Sequence, residues 1–319
     1  LKYSFWLKID LVPALFSDSP FARQNMPKHR TAGWLLVLGG IGTLAVIRWA
    51  GLAGVNLDFD DGSHTLILLR HGESEWNVEN RFTGWVDVDV SPQGASEADA
   101  AGTLMKEAGI TVDQAFTSYQ KRAIKTLGMA LESMDQLWIP VEKTWRLNER
   151  MYGDLQGKNK AETQAKYGEE QLTQWRRSFD VPPPAIEEDN PYHPKLEPKY
   201  AGIPKKDLPL AESLELTIKR VLPFWQKSIV PVLKSGKTVI IAAHGNSLRA
   251  LVKYIDNIPE DKIVGLNIPT GVPLVYKLNR RLKPIELEGH ADGLSGVYLG
   301  DPAWVDAKIN GVANQAKGR

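Results

Sequence analysis

Two short stretches hold residues that could do chemistry together. "LLRHGESEWN" (68–77) ends an apolar run on Arg70, His71 and Gly72, and "VIIAAHGNSL" (239–248) ends another on His244, Gly245 and Asn246. An imidazole can act as a nucleophile and a guanidinium can clamp an anion. A glycine directly behind them lets the backbone approach a neighbour closely. One such triplet is as readily structural as functional, but two strand–His–Gly turns in one chain are not a packing pattern. In an open parallel sheet, ligands sit beyond the carboxyl ends of the strands. Both histidines fall at such ends, and each is followed by a helix or turn whose N–H groups can face an anion.

The basic residues point the same way. "SYQKRAIKT" puts Arg122 just after a second apolar run, "QWRRSFD" offers Arg176 and Arg177, and Lys160 follows the glycine-containing "YGDLQGKNK". Taken singly, each reads as a solvated surface charge. Gathered with Arg70, they would form a pocket suited to phosphate and carboxylate groups, since a phosphoryl group carries about −1.5 to −2 charges at neutral pH. One carboxylate stands among them: "RLNERMYGDLQG" places Glu149 between arginines. On a surface it would be unremarkable, but inside an anion pocket it is a poor binder and a sensible proton shuttle.

These residues need a scaffold, and the pattern from Thr65 onward supplies an α/β one. "TLILLR" (65–70) and "VDQAFTS" (112–118) read as strands, and "KRAIKTLGMALESM" (121–134) as a helix. "SPQGASEADAAGTLMKEAG" (91–109) reads as a helix with Ser91 as N-cap, Pro92 at its first position and Gly109 as its stop. "KTVIIAAHGNSLRALVKYI" (237–255) repeats the strand, His-Gly, helix design, and "GVPLVYKL" (271–278) reads as the last strand. Strands alternating with helices predict a mostly parallel sheet flanked by helices on both faces. The proline-rich stretch 180–209 reads as a lid, because long irregular segments inside compact domains are usually functional or disordered.

Composition narrows the rest. The chain has 319 residues and a formal net charge of +1, so nothing global points to nucleic acid. Without cysteine, disulfides, thiolate metal sites and cysteine nucleophiles are excluded. No cluster of His and carboxylate has the spacing of a metal site. Residues 1–64 read as an N-terminal extension. Met26, "PKHR" and the apolar stretch 32–55 have the layout of a targeting or anchor segment, and any membrane contact would run through 32–55. Mispredicted upstream sequence is the equal alternative.

Over residues 65–319 the chain resembles the 2,3-bisphosphoglycerate-dependent phosphoglycerate mutases of the histidine phosphatase superfamily. The motifs that carry the resemblance are "LLRHGESEWNVENRFTGWVDVDVS", "LNERMYGDLQGKNKAE", "RRSFDVPPP", "VIIAAHGNSLRALVKYI" and "LNIPTGVPLVY". It implies that His71 is the nucleophile and becomes phosphohistidine. His244, Arg70, Arg122 and the amide of Gly72 would hold the transferring oxygens, helped by Asn77, Gly245 and Asn246. Glu149 would serve as acid and base at the substrate hydroxyl. Thr83, Gly84, Tyr152, Lys160, Arg176 and Arg177 would bind the far end of the substrate. The implied enzyme is a cytoplasmic isomerase of phosphoglycerates in glycolysis and gluconeogenesis, primed by 2,3-bisphosphoglycerate, metal-independent and homo-oligomeric. An organelle-targeted or membrane-anchored form is the alternative location. One departure is Met151, where the family commonly has histidine. A phosphatase using the same phosphohistidine is the nearest competing reading; bisphosphoglycerate synthesis as a side activity and an inactive scaffold are the others.

Overall fold

The computed structural model describes residues 62–314. The apolar stretch 32–55 and nearly all of the expected extension lie outside the described residues. In chain order, β1 (His64–Arg70) leads through α1 (Glu75–Val78) to α2 (Pro92–Glu107), β2 (Gln114–Thr117), α3 (Lys121–Ser133) and β3 (Val141–Lys143). Then come α4 (Lys160–Tyr167), α5 (Glu169–Arg177), α6 (Leu214–Phe224), α7 (Val230–Lys234), β4 (Val239–Ala243) and α8 (Gly245–Ile255). α9 (Glu260–Ile263), β5 (Pro273–Leu278), β6 (Pro284–Ile285), β7 (Val297–Tyr298) and α10 (Pro302–Asn314) follow.

The strands form one mixed sheet in the order β3-β2-β4-β1-β5-β6, with β7 also paired to β5. The four strands from β3 to β1 are parallel, and β5 adds an antiparallel edge that β6 and β7 extend. The run 271–278 is therefore a strand as expected, though it runs against β1 and two further short strands come after it.

Period-two alternation fills both faces. Leu66 and Leu68 of β1 pack with Ile241 of β4 against Val221, Leu248 and Leu251 of α6 and α8. Ile67 and Leu69 turn to the other face and meet Ala101 and Met105 of α2 with Leu127 and Leu131 of α3. A strand buried on both faces must be apolar at every position, and β1 is, from Leu66 to Leu69. Each such buried Leu or Ile contributes roughly 1.5–3 kcal/mol. Helix α2 begins as its sequence dictates: the Ser91 hydroxyl accepts from the Gly94 N–H, Pro92 takes the first turn, and Gly109 turns away at φ 70°.

Register is what matters for the site. β1 and β4 pair in parallel with Arg70 opposite Ala243, and the His71 N–H donates to the Ala243 carbonyl at 3.0 Å. The next residue on each strand is a histidine, so the two strands deliver His71 and His244 to adjacent places at one sheet edge.

Candidate active site

The two imidazoles lie with ring centroids 5.0 Å apart and planes inclined at 55°. His71 Nδ1 is 2.7 Å from the Gly72 carbonyl. A carbonyl oxygen only accepts, so Nδ1 carries the hydrogen. Burial, then the Arg122 and Arg70 guanidinium groups, push the His71 pKa well below the ordinary histidine value. The ring is neutral at physiological pH, and Nε2 is the nitrogen with a free lone pair. His244 is wholly buried; its Nε2 is 2.8 Å from the Ser118 hydroxyl, which accepts from the Gln120 N–H at 3.1 Å.

Arg70 and Arg122 are buried, and among the described residues neither forms an ion pair with a carboxylate. Arg70 donates through Nη1 to the Ile268 carbonyl at 2.7 Å, and Arg122 donates to the Val86 and Gly84 carbonyls at 3.0 Å each. Among the described residues, neither Nε has a hydrogen-bond partner. Burial pushes the Arg122 guanidinium down to about 10, which leaves it charged near neutrality. Gly84, whose carbonyl also accepts from Gln120 Nε2, holds φ 53°. A Cβ there would lie 2.2 Å from Gln156 Oε1.

Glu149 closes the ring of functional groups. Its Oε1 accepts from its neighbour Arg150 N–H at 2.8 Å and from the Asn246 N–H at 3.1 Å. The carboxylate thus takes an N-terminal amide of α8, where the helix dipole favours negative charge. That amide is therefore not free to face a ligand. The Glu149 carbonyl accepts from Trp85 Nε1 at 2.7 Å and from Arg220 at 3.3 Å, so the backbone behind the carboxylate is pinned as well. Asn77 commits its amide oxygen to Ser74 at 2.9 and 3.1 Å, which leaves its NH2 end for the pocket.

Of the residues expected in the site, all but Gly72 and His244 line one pocket. His244 lies behind it, in ring contact with His71. For Gly72 the expectation is corrected: its N–H donates to Thr126 Oγ1 at 3.0 Å and is not offered to a ligand. Its lack of a side chain serves close packing, because a Cβ there would meet the Gly94 carbonyl oxygen at 2.1 Å. The expected lid is also corrected. No residue of 180–209 lines the pocket; Ile186 and Tyr200 instead bury against Trp85 and Met151. Met151 is fully buried in that apolar cluster, so its departure from the family pattern lies outside the pocket.

Sequence reasoning missed Arg249, Arg81, Asn267 and Val312, all pocket residues. Arg249 was legible in principle, since it lies one turn beyond Gly245 on α8 and hence on the same face. It donates to Asn246 Oδ1 at 3.0 Å, and burial pushes it down to about 9. Two further cations line the same pocket: burial takes Arg176 to about 10 and Lys160 to about 7. Among the described residues, no three His, Asp or Glu side chains are grouped to hold a metal ion. None of the described helices is long and apolar enough to cross a membrane.

Known proteins share this fold. A sequence profile of the histidine phosphatase superfamily, branch 1, matches residues 66–281. YhfR of Bacillus stearothermophilus is 23% identical with a TM-score of 0.54, over 72% of this chain and 98% of its own. A mycobacterial glucosyl-3-phosphoglycerate phosphatase complexed with VO3 is 21% identical with a TM-score of 0.52, covering 75% of this chain and 97% of that one. The α-ribazole phosphatase of Shigella flexneri is 18% identical with a TM-score of 0.52, covering 70% and 95%. At these identities the likeness is one of fold.

Proposed function

Because the chain belongs to the histidine phosphatase superfamily, we propose that it interconverts 3-phosphoglycerate and 2-phosphoglycerate through a phosphohistidine primed by 2,3-bisphosphoglycerate. One observation carries the reading: the pocket is lined by more cations than a single phosphate needs. Arg70 and Arg122 stand around His71, while Lys160, Arg176, Arg177 and Arg249 line the remainder, with Glu149 as the only carboxylate among the lining residues. A substrate with one phosphate needs the first group; a substrate with a second anionic group needs both.

In this mechanism His71 Nε2 attacks the phosphorus of the primer in line with the leaving oxygen. Arg70 and Arg122 spread the charge on the equatorial oxygens, and His244 stands beside the transferring group. Glu149 gives a proton to the departing hydroxyl and takes one from the hydroxyl that later receives the phosphoryl group. Guanidinium groups supply the positive charge, so the reaction needs no metal and should survive EDTA. Hydrolysis is the second reading, since water can discharge the same phosphohistidine. The test is formation of 2-phosphoglycerate from 3-phosphoglycerate with and without 2,3-bisphosphoglycerate, set against phosphate release. Phosphate release without isomerisation would reject the mutase reading.

The proposal includes self-association. Leu137 and Trp138 are 58% and 75% exposed beside the open edge strand β3, an apolar surface that a second copy would cover. Sedimentation of the wild type against Trp138→Glu tests it, and a monomeric wild type would refute it.

A further inference from the structure

Lys160 differs from the other lysines of its segment. Lys158, two residues earlier, pairs with Asp154 at 2.6 Å in partial exposure. Lys160 opens α4, donates its own N–H to the Asn80 carbonyl at 2.8 Å, and is only 7% exposed. Its side chain lines the pocket and, among the described residues, its ammonium has no carboxylate or hydrogen-bond partner. The charges acting on it most strongly are Arg176 from α5 and Arg70 from β1, both positive. A desolvated amine held among guanidinium groups is the arrangement that turns lysine into a nucleophile.

We propose that Lys160 is a covalent capture site for small aldehydes that carry a phosphate, which it binds as a Schiff base while the arginines hold the phosphate. The inference rests on the reading of the pocket as a phosphate site. The Nζ lone pair forms a bond to the carbonyl carbon, and the carbonyl π pair moves to oxygen. The proton lost by nitrogen passes through solvent to that oxygen. The carbinolamine then loses water to leave C=N, so amine and aldehyde become imine and water with no oxidant or reductant consumed.

Two features make the site selective. Burial and the two arginines lower Lys160 to about 7. Against an exposed lysine of ordinary pKa, the neutral fraction at pH 7 is then on the order of a thousandfold larger. The phosphate cradle raises the local concentration of anionic aldehydes over neutral ones. A phosphoglycerate carries a carboxylate and has no electrophilic carbonyl, so toward substrate the same side chain acts as a charge. Phosphate-bearing aldehydes of two or three carbons are thus slow, reversible inhibitors, freed again by hydrolysis of the imine.

The experiment treats the full chain at pH 7 with glycolaldehyde phosphate and cyanoborohydride, followed by peptide mass mapping. Lys160 should be reduced to the secondary amine roughly tenfold faster than Lys158. Inorganic phosphate should protect it, and unphosphorylated glycolaldehyde should label it no faster than surface lysines. Lys160→Arg, checked for folding by circular dichroism, should lose the adduct. Label on surface lysines with none on Lys160, or equal labelling by the two aldehydes, overturns the inference. The readout is independent of turnover: label on Lys160 in a protein without mutase activity supports this inference and rejects only the mutase reading.

Discussion

Arg220 grips Glu212 with two hydrogen bonds, Nε to Oε1 at 2.7 Å and Nη2 to Oε2 at 2.8 Å, both side chains almost wholly buried. The pair sits behind Glu149. Glu212 Oε2 accepts from the Met151 N–H at 2.9 Å, and Arg220 reaches the Arg146, Asn148 and Glu149 carbonyls. Arg220→Ala would leave a buried carboxylate uncompensated and should cost about 3–5 kcal/mol in urea unfolding. Because the Glu149 backbone loses a tether, kcat should fall even where the variant is folded. A loss below about 1 kcal/mol would mean that the pair is dispensable.

The phosphoryl acceptor on His71 should be Nε2, because Nδ1 gives its hydrogen to the Gly72 carbonyl. Incubation with 2,3-bisphosphoglycerate should yield an acid-labile, base-stable phosphate with the phosphorus NMR shift of the Nε2 isomer. His71→Ala should reduce turnover at least about a thousandfold with an intact fold. Residual activity within tenfold of wild type, or an Nδ1 adduct, would contradict the assignment.

Lys160 should write its pKa of about 7 into the affinity for anions. The protonated form binds, so affinity should be level below pH 7 and weaken above it, by about tenfold per unit once the free enzyme has lost the proton. Ligand binding near pH 8 should take up protons, visible as buffer-dependent heats in calorimetry. Lys160→Arg, charged throughout, should flatten the profile. For folding the sign is the opposite: the unfolded chain holds more protons on this lysine between pH 7 and its ordinary value, so this group makes stability rise with pH there.

His71 and His244 act on stability at the acid end. Both are held well below the ordinary value by burial first and by arginine second. As pH falls below about 6.5 the unfolded chain takes up protons that these two refuse, so each should remove about 1.4 kcal/mol per pH unit until its own folded value is reached. Thermal melts from pH 7 to 5 check this, and His244→Asn should shrink the slope.

Gly84→Ala should lower both stability and activity. The added Cβ would displace Gln156 and force a side chain into φ 53°, moving the carbonyl that holds Arg122. A cost of about 1–3 kcal/mol is expected from the backbone conformation alone. Wild-type melting with wild-type kcat would show that the loop can relax.

Strands and pocket were legible where one pattern had one cause. β1 from Leu66 to Leu69 and β4 from Val239 to Ala243 are apolar throughout because both faces are covered, and a His-Gly at the end of each marks the edge they share. The short strands β6 and β7 were not legible, since two residues carry no periodicity. The Gly72 amide was misread because its partner Thr126 lies 54 residues away on α3, and nothing local announces that bond. Proline richness in 180–209 signals irregular backbone correctly, but does not say which way Tyr200 faces. Val312 belongs to α10, beyond the end of the family match, and no spacing ties it to the pocket.

The strand order carries a consequence in time. β4 lies between β1 and β2, yet it is made only after both of them and every element up to α7. Until then β1 and β2 have no partner between them, and their apolar rows have only α2, α3 and later helices to shelter against. A growing chain can shape its early helices but cannot close the sheet, bring His244 beside His71, or offer Asn246 to Glu149. Competence for phosphoryl transfer should therefore arrive in one late step, with no partly active intermediate during synthesis. Stalled chains ending before Val239 should bind no phosphate, and chains long enough to free α8 from the exit tunnel should gain binding abruptly.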